Sequence, residues 1–105
     1  MCQILGSSFN TEVSYKHILP EFQELSLLNP DGWGISLYPE GQLMLSKDSM
    51  QMCKSPKAMQ LMSRSDLKSK IMLAHVRAKN NSIISDKDSH PFSVLYEGKH
   101  YSYVH

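Results

Sequence analysis

The most reactive side chain at the start of the sequence is the thiol of Cys2, which follows Met1. Initiator methionine is commonly removed when the second residue is small. Removal would leave Cys2 with a free α-amine beside its own thiol, and such an amine titrates near neutral pH, so it can act as a general base. The pair Met1-Cys2 therefore predicts a nucleophile that carries its own base, although a cysteine at this position is a weak signal by itself.

Two basic side chains follow in the segment Ala74-His75-Val76-Arg77-Ala78. If the segment is a strand, His75 and Arg77 point to the same face, because side chains alternate along a strand. The planar guanidinium of Arg77 can bind a carboxylate through two parallel hydrogen bonds, a geometry that Lys does not reproduce. We therefore interpret Arg77 as a candidate for binding an amino-acid carboxylate, with a surface salt bridge as the alternative. His75 is interpreted as a hydrogen-bonded structural histidine.

Two further motifs contain residues of functional interest. Ser89-His90-Pro91-Phe92 ends a polar stretch, Lys79–Pro91, which predicts a long loop of the kind that often carries function. In Asp31-Gly32-Trp33-Gly34, the two glycines allow the backbone to approach another strand or a ligand closely. Each motif is also compatible with an ordinary turn or loop, so neither specifies a function alone.

The same residues allow two other kinds of chemistry. Cys2 with His75 or His90 as its base would make a thiol hydrolase of the Cys-His type. Blocking the α-amine chemically would silence a self-activated Cys2 and spare a Cys-His pair. Cys2, Cys53 and two histidines could instead hold zinc, but the sequence has no Cys-x-x-Cys or His-x-x-x-His pair, so we expect neither a metal nor a cofactor.

The pattern of the first 28 residues predicts a strand followed by a helix. Cys2–Phe9 is typical of a first strand, and Asn10 or Thr11 is an acceptable helix cap. Apolar residues then recur at helical spacing from Tyr15 to Leu25. Pro20 interrupts this run, which predicts a kink there or a second helix that starts at it.

The rest of the chain predicts two hairpins separated by a second helix and a long strand. Turns at Asn29–Gly32 and Pro39–Gly41 flank a strand from Trp33, and Gln42–Lys47 returns beside it. Ser55-Pro56 predicts a helix start. The remaining elements are an apolar helix face (Ala58, Met59, Met62), the longest strand (Lys70–Ala78) and a final hairpin (Phe92–Tyr96, Lys99–Val104). This order predicts an α+β fold with antiparallel sheets.

Composition and charge are those of one small globular domain. The chain has 105 residues, 41% of them hydrophobic, and eleven basic against ten acidic residues give a net charge of +1. The charges are scattered, which argues against a nucleic-acid partner. No apolar run reaches the roughly 20 residues of a membrane helix, and the N-terminus is unlike a signal peptide. We interpret Cys2 and Cys53 as free thiols in a reducing compartment, and therefore expect a cytoplasmic protein with no membrane partner.

Taken together and in this order, the motifs closely resemble those of the class II glutamine amidotransferases. The resemblance is greatest to the compact bacterial branch that consists of the glutaminase domain alone. Four segments carry it: Met1–Gly6, Asn29–Ile35, Ala74–Ala78 and Ser89–Phe92. It spans Cys2 to His105. It implies part of the four-layer αββα sandwich of the N-terminal nucleophile hydrolases, and L-glutamine as the substrate.

The resemblance also implies roles for individual residues. Cys2 would attack the side-chain amide of glutamine and form a γ-glutamyl thioester, so that ammonia leaves and water then releases glutamate. Arg77 would hold the α-carboxylate of the substrate, and Asn80 would line the glutamine pocket. Four further positions would form the scaffold of that pocket: Gly32, Trp33, His75 and His90.

One part of the family pattern is missing from the sequence. The Asn-Gly pair that forms the family's oxyanion hole would follow Tyr101–His105, where the sequence stops. We therefore expect residues 1–105 to be the N-terminal portion of a single, truncated domain, with a second copy or a partner chain as a possible source of the missing half. Loss of an oxyanion donor costs on the order of 10² to 10³ in rate. The alternative is therefore a catalytically inactive fragment or interaction module of the same fold.

Overall fold

The computed structural model describes residues 2–78 and 90–104. Six strands lie in these ranges: β1 (Gln3–Ser14), β2 (Trp33–Leu37), β3 (Met44–Asp48), β4 (Lys68–Val76), β5 (Phe92–Tyr96) and β6 (Lys99–Tyr103). The helices of the described ranges are α1 (Ile18–Gln23) and α2 (Pro56–Met62), with short 3-10 segments at Glu24–Leu27, Pro39–Gly41 and Met52–Lys54. The structure thus follows the predicted order of elements.

The strands form two antiparallel sheets. Four of them make a sheet in the order β1-β4-β2-β3, and β5 pairs with β6 in a separate hairpin. Mixed helices and antiparallel sheets agree with the predicted α+β class. The longest described strand is β1, with 12 residues, and not the predicted Lys70–Ala78 segment, where β4 has 9.

One face of the four-stranded sheet carries the hydrophobic core. Its centre is formed by pairs from β2 and β4 that lie opposite each other, among them Trp33 with Val76 and Ile35 with Ala74. All four side chains are buried. Both helices cover this face and contribute further buried residues: Leu19, Phe22, Ala58 and Leu61. The sheet therefore has its helices on one side.

The β5–β6 hairpin contacts the other face of the sheet. The hydroxyl of Ser36 in β2 donates to the hydroxyl of Ser102 in β6 at 2.8 Å, and that of Tyr38 does so at 3.1 Å. The ammonium of Lys47 in β3 lies 4.8 Å from the centre of the Phe92 ring, a distance at which a cation is attracted to an aromatic face. Strand β2 is consequently buried on both faces.

The predicted helix start at Asn10 or Thr11 is wrong, because β1 continues to Ser14. Tyr15 causes the error. Its place in the apolar spacing suggests a helix, but Tyr15 directly follows β1 and its side chain is buried, with its hydroxyl 3.0 Å from the hydroxyl of Ser7 in that strand. A single buried residue that directly follows a strand can thus imitate the first position of a helical pattern.

Helix α1 begins at Ile18. The carbonyl oxygen of Tyr15 accepts hydrogen bonds from the N–H groups of Ile18 and Leu19, at 3.1 and 3.0 Å. Pro20 lies in the first turn, where a backbone N–H has no intrahelical acceptor, so its missing donor costs no helical hydrogen bond. Of the two predicted outcomes at Pro20, a helix that starts close to it matches the structure.

Helix α2 begins as the sequence predicts. The Ser55 hydroxyl accepts a hydrogen bond from the N–H of Ala58 at 3.2 Å and donates one to Asp48 at 2.7 Å. The predicted apolar face is wrong at Met59, which is 53% exposed, while Leu61 is buried. The reason is helical geometry, because residues three apart share a face and adjacent residues do not.

No helix among the described residues combines the length and the apolar character needed to cross a lipid bilayer.

Candidate functional site

The antiparallel register brings the sequence motifs to one end of the four-stranded sheet. Gln3 in β1 and Trp33 in β2 both lie opposite Val76, the last residue of β4. The start of β1, the start of β2 and the end of β4 therefore meet. The motif residues stand just before or after these strand ends or before β5: Cys2, Gly32, Arg77 and His90.

Cys2 presents an exposed, free thiol at this end of the sheet. Its sulfur lies 3.4 Å from the backbone nitrogen of Ala78, which donates to it, and 3.6 Å from the carbonyl oxygen of the same residue. Within residues 2–78 and 90–104, these backbone groups are its hydrogen-bond partners. The thiol is thus next to the residue that follows Arg77, and no described imidazole is hydrogen-bonded to it. The Cys-His alternative gains no support from this placement.

The backbone of Arg77 extends the pairing of β2 with β4 beyond the ends of both strands. Its N–H donates to the carbonyl of Gly32 at 2.8 Å, and its carbonyl accepts from the N–H of Asp31 at 2.9 Å. The residue is only 9% exposed. Such burial does not fit the alternative of a surface salt bridge. The chain's other arginine, Arg64, makes an exposed pair of that kind with Asp66 at 3.4 Å.

The two glycines that flank Trp33 are needed for different structural reasons. Gly32 has a φ of 136°, a backbone conformation that glycine adopts far more readily than other residues. At Gly34 a Cβ atom would overlap the carbonyl oxygen of His90, so this glycine permits a close approach of two backbone segments. Trp33 itself lies in the core, and its indole N–H has no hydrogen-bond partner among the described residues.

His75 is packed among other rings. It is 2% exposed, and its ring centre lies 4.7 Å from that of His90, which is in turn 4.6 Å from the ring of Phe92. Burial, followed by the charges of His90 and Arg77, lowers the pKa of His75 to about 4. Its imidazole is therefore uncharged near neutral pH. Its Nδ1 atom has no hydrogen-bond partner within the described ranges, so the predicted hydrogen bonding of His75 is not observed at this atom.

The structure does not bring together all the residues that the sequence suggested. Asn80, together with Met1 and most of the Lys79–Pro91 segment, lies outside the described residues. Cys53 belongs to the 3-10 segment Met52–Lys54, where its N–H donates to Ser26 at 3.3 Å. The described residues contain no group of three or more His, Cys, Asp or Glu side chains that could hold a metal. The zinc arrangement thus lacks structural support.

A cavity of about 600 Å³ opens elsewhere, between Gly41–Leu43 and Gly98–Tyr101. It follows the end of β2, whereas the motifs gather around the start of that strand. None of the residues predicted for the site lines it. The cavity is therefore separate from the candidate site.

Two contacts of the site escaped sequence analysis. The bond between Cys2 and Ala78 uses backbone atoms of Ala78, and no side-chain pattern signals such a contact. The approach of His90 to Gly34 joins two motifs that are distant in sequence. The glycine pair did predict a close approach, but its partner depends on the packing of the hairpin.

Fold and site together define an α+β domain of antiparallel sheets with an exposed cysteine thiol beside a buried arginine. The family described as glutamine amidotransferases class-II matches residues 1–105. The chain therefore belongs to the class II glutamine amidotransferases.

Similar proteins occur in archaea and bacteria. The chain is 32% identical over 105 residues to an uncharacterized protein of Methanocaldococcus jannaschii. It is 30% identical over 108 residues to YafJ of Escherichia coli K12 and 25% identical over 108 residues to a protein of Haemophilus influenzae, both named provisionally as glutamine amidotransferases. Each comparison covers 100% of this chain but only 29%, 42% and 36% of the respective relatives. The chain thus spans less than half the length of these relatives.

Proposed function

We propose that the protein performs the glutaminase half-reaction, in which the side-chain amide of glutamine is hydrolysed to glutamate and ammonia. One observation carries the proposal: the Cys2 sulfur lies 3.4 Å from the backbone nitrogen of Ala78, directly beside Arg77. The thiol therefore lies against the backbone of the residue that directly follows Arg77 in the sequence. Membership of the class II glutamine amidotransferases supports glutamine as the substrate.

The proposed reaction begins once Met1 has been removed. The free α-amine of Cys2 takes the thiol proton, and the sulfur attacks the amide carbon of the glutamine side chain. Collapse of the tetrahedral intermediate breaks the C–N bond, and the amine returns the proton so that ammonia leaves. Water then attacks the γ-glutamyl thioester, glutamate departs, and the thiol is restored.

Arg77 is proposed to orient the substrate. Its guanidinium can donate two parallel hydrogen bonds to the α-carboxylate of glutamine, and the burial of the residue strengthens such an ion pair relative to a fully solvated one. Its backbone bonds to Gly32 and Asp31 fix the end of the strand from which it projects. Asn80 is proposed to line the pocket, as its position after Arg77 in the sequence suggests.

The remaining members of the site are proposed as scaffold. Gly32 and Trp33 hold the start of β2, and His75 and His90 hold the hairpin next to the end of β4.

The proposed fold is part of an αββα sandwich, completed by further sequence, a second copy or a partner chain. Ile4 and Ile71 are 51% and 48% exposed on the sheet face that the hairpin contacts, and this supports a further covering layer. Two free thiols support a cytoplasmic location.

The second candidate function is an interaction module of the same fold without catalysis. The hairpin favours it through exposed aromatic and apolar side chains: Val94, Tyr96, Tyr101 and Tyr103. Exposed apolar patches often mark surfaces that bind another protein. Catalysis and docking give different results in a direct assay, because only catalysis consumes glutamine.

The test is release of glutamate and ammonia from glutamine by the purified chain with Met1 removed. Any turnover should be abolished by Cys2→Ala, because the nucleophile is lost. Cys53→Ala is the matched control, since Cys53 lies in a separate 3-10 segment, and it should retain the wild-type rate. Measurable turnover that persists in Cys2→Ala would overturn the proposed mechanism, and a lack of turnover in the wild type would favour the interaction module.

A further inference from the structure

The β5–β6 hairpin meets the four-stranded sheet at a cluster of Gly34, His75 and His90, which we call the histidine joint. Gly34 and His75 lie opposite each other in β2 and β4. The His90 ring packs 4.7 Å from the His75 ring. Because a Cβ at position 34 would overlap the His90 carbonyl, the two imidazoles can meet in this way only if residue 34 is glycine.

Among the described residues, the groups whose charge lowers the pKa of His75 are His90 and Arg77. Arg77 follows on the same face of the extended β4 segment, and His90 comes from the segment before β5. Lys47 stands on β3, on the far side of β2. From β1, the apolar residue Ile4 lies opposite His75. A second positive charge at His75 would therefore face repulsion from more than one element.

The electrostatics of His75 follow from this environment. Burial first, then His90 and Arg77, lower its pKa to about 4, against about 6.5 for an unperturbed histidine. Asp31, whose N–H bonds the Arg77 carbonyl, is not among the groups that shift this pKa. The Nδ1 atom of His75 is buried, and a proton on it has no hydrogen-bond acceptor among the described residues.

We propose that Gly34, His75 and His90 are positioning residues of the site, whose joint holds the hairpin against the end of β4 only while the His75 imidazole is uncharged. Acidification then releases the hairpin from the sheet before the sheet itself unfolds. The inference rests on the proposed function in one respect, since the end of β4 that the joint covers leads directly to Arg77, the residue assigned to the substrate carboxylate.

The direction of the pH effect follows from linkage. In the released state His75 titrates near its ordinary pKa of about 6.5, whereas in the closed joint its pKa is about 4. The closed joint is therefore fully stabilised above about pH 6.5 and loses that stabilisation as the pH falls toward 4. With these two values, the equilibrium constant for release rises about 20-fold between pH 7 and pH 5.

The test is amide hydrogen exchange, followed by NMR on the full 105-residue chain and corrected for intrinsic exchange rates. Isolated two-stranded hairpins are at best marginally stable, so release should expose the amides of β5 and β6. We expect their protection to fall about 20-fold from pH 7 to pH 5 relative to that of β4 amides. His75→Gln should remove this pH dependence. His100→Gln, at an exposed position of the hairpin, is the matched control and should keep it.

Two results would overturn the proposal: protection of the hairpin that does not change relative to β4, or an equally steep fall in His75→Gln. If His75→Gln does not fold, His75→Asn provides the same comparison. Gly34→Ala should lower hairpin protection already at pH 7 while the β1–β4 amides stay protected, and unchanged protection there would also contradict the joint. The measurement needs no turnover, so its outcome is independent of the glutaminase assay.

Discussion

Cys2 lies next to a backbone amide and not next to a side-chain base, and this limits the chemistry open to its thiol. Its described hydrogen-bond partners are the N–H and carbonyl of Ala78. His75, the nearest motif histidine in the pairing register, is uncharged at neutral pH and packed against His90. A thiol without an imidazole partner needs another base, and its own α-amine satisfies this need once Met1 is removed.

At the same scale, the role of Arg77 predicts the effect of a conservative substitution. Arg77→Lys keeps the charge but removes the two-pronged geometry, so we expect KM for glutamine to rise about 10- to 100-fold, equivalent to about 1.5–3 kcal/mol for a charged hydrogen bond. The turnover number should change much less, because the carboxylate is remote from the amide that reacts. Steady-state kinetics measure both parameters.

The control for this substitution is Arg64→Lys. Arg64 makes an exposed pair with Asp66, and exposed pairs contribute little to stability. The KM of the Arg64→Lys variant for glutamine should equal that of the wild type. If the KM of Arg77→Lys matched that of the control, Arg77 would not be the residue that binds the substrate carboxylate.

Side-chain chemistry explains why several site residues were predictable and others were not. Cys2, Arg77 and His75 carry reactive or charged groups in short motifs, and the structure places them at the same end of the sheet. Gly34 and Ala78 act through a missing side chain and through backbone atoms. Their contacts exist only after distant segments have packed, so no local pattern reveals them.

At the scale of elements, hairpins were predictable because turn residues are local. Both strands beside Pro39–Gly41 and both strands of the β5–β6 hairpin appear as predicted, and Ser55 caps α2. The order β1-β4-β2-β3 was not predictable, because β1 and β4 are far apart in sequence and pair through long-range packing. The length of β1 was mispredicted because Tyr15 imitates a helical position.

The cap of α2 gives a prediction about stability. Ser55 is buried and bonds both the Ala58 N–H and Asp48. Ser55→Ala leaves a backbone donor and a carboxylate oxygen without these bonds, so the free energy of unfolding should fall by about 1–2 kcal/mol. Chemical denaturation monitored by circular dichroism measures the change.

Ser63→Ala is the matched control for the cap. Ser63 is exposed at the other end of the same helix, and its hydroxyl bonds only the nearby carbonyl of Gln60 among the described residues. Its substitution should alter the free energy of unfolding by less than about 0.5 kcal/mol. Equal losses in the two variants would show that the Ser55 cap does not stabilise the fold.

At the scale of the whole molecule, the chain has one covered and one partly uncovered sheet face. Both helices pack on the core side, while the other side receives only the hairpin in the described structure, and Ile4 and Ile71 stay about half exposed. The relatives are longer than this chain, which spans 29% to 42% of them. A further layer over this face is therefore part of the proposal.

The most direct test of the proposed chemistry is intact-mass spectrometry after incubation with a glutamine analogue that carries an electrophilic carbon in place of the side-chain amide. The same spectrum reports whether Met1 has been removed. We predict one adduct per chain, located on Cys2 by peptide mapping, retained in Cys53→Ala and strongly reduced in Arg77→Lys. Labelling that falls on Cys53, or that is equal for an analogue without the α-carboxylate, would contradict a Cys2 nucleophile served by Arg77.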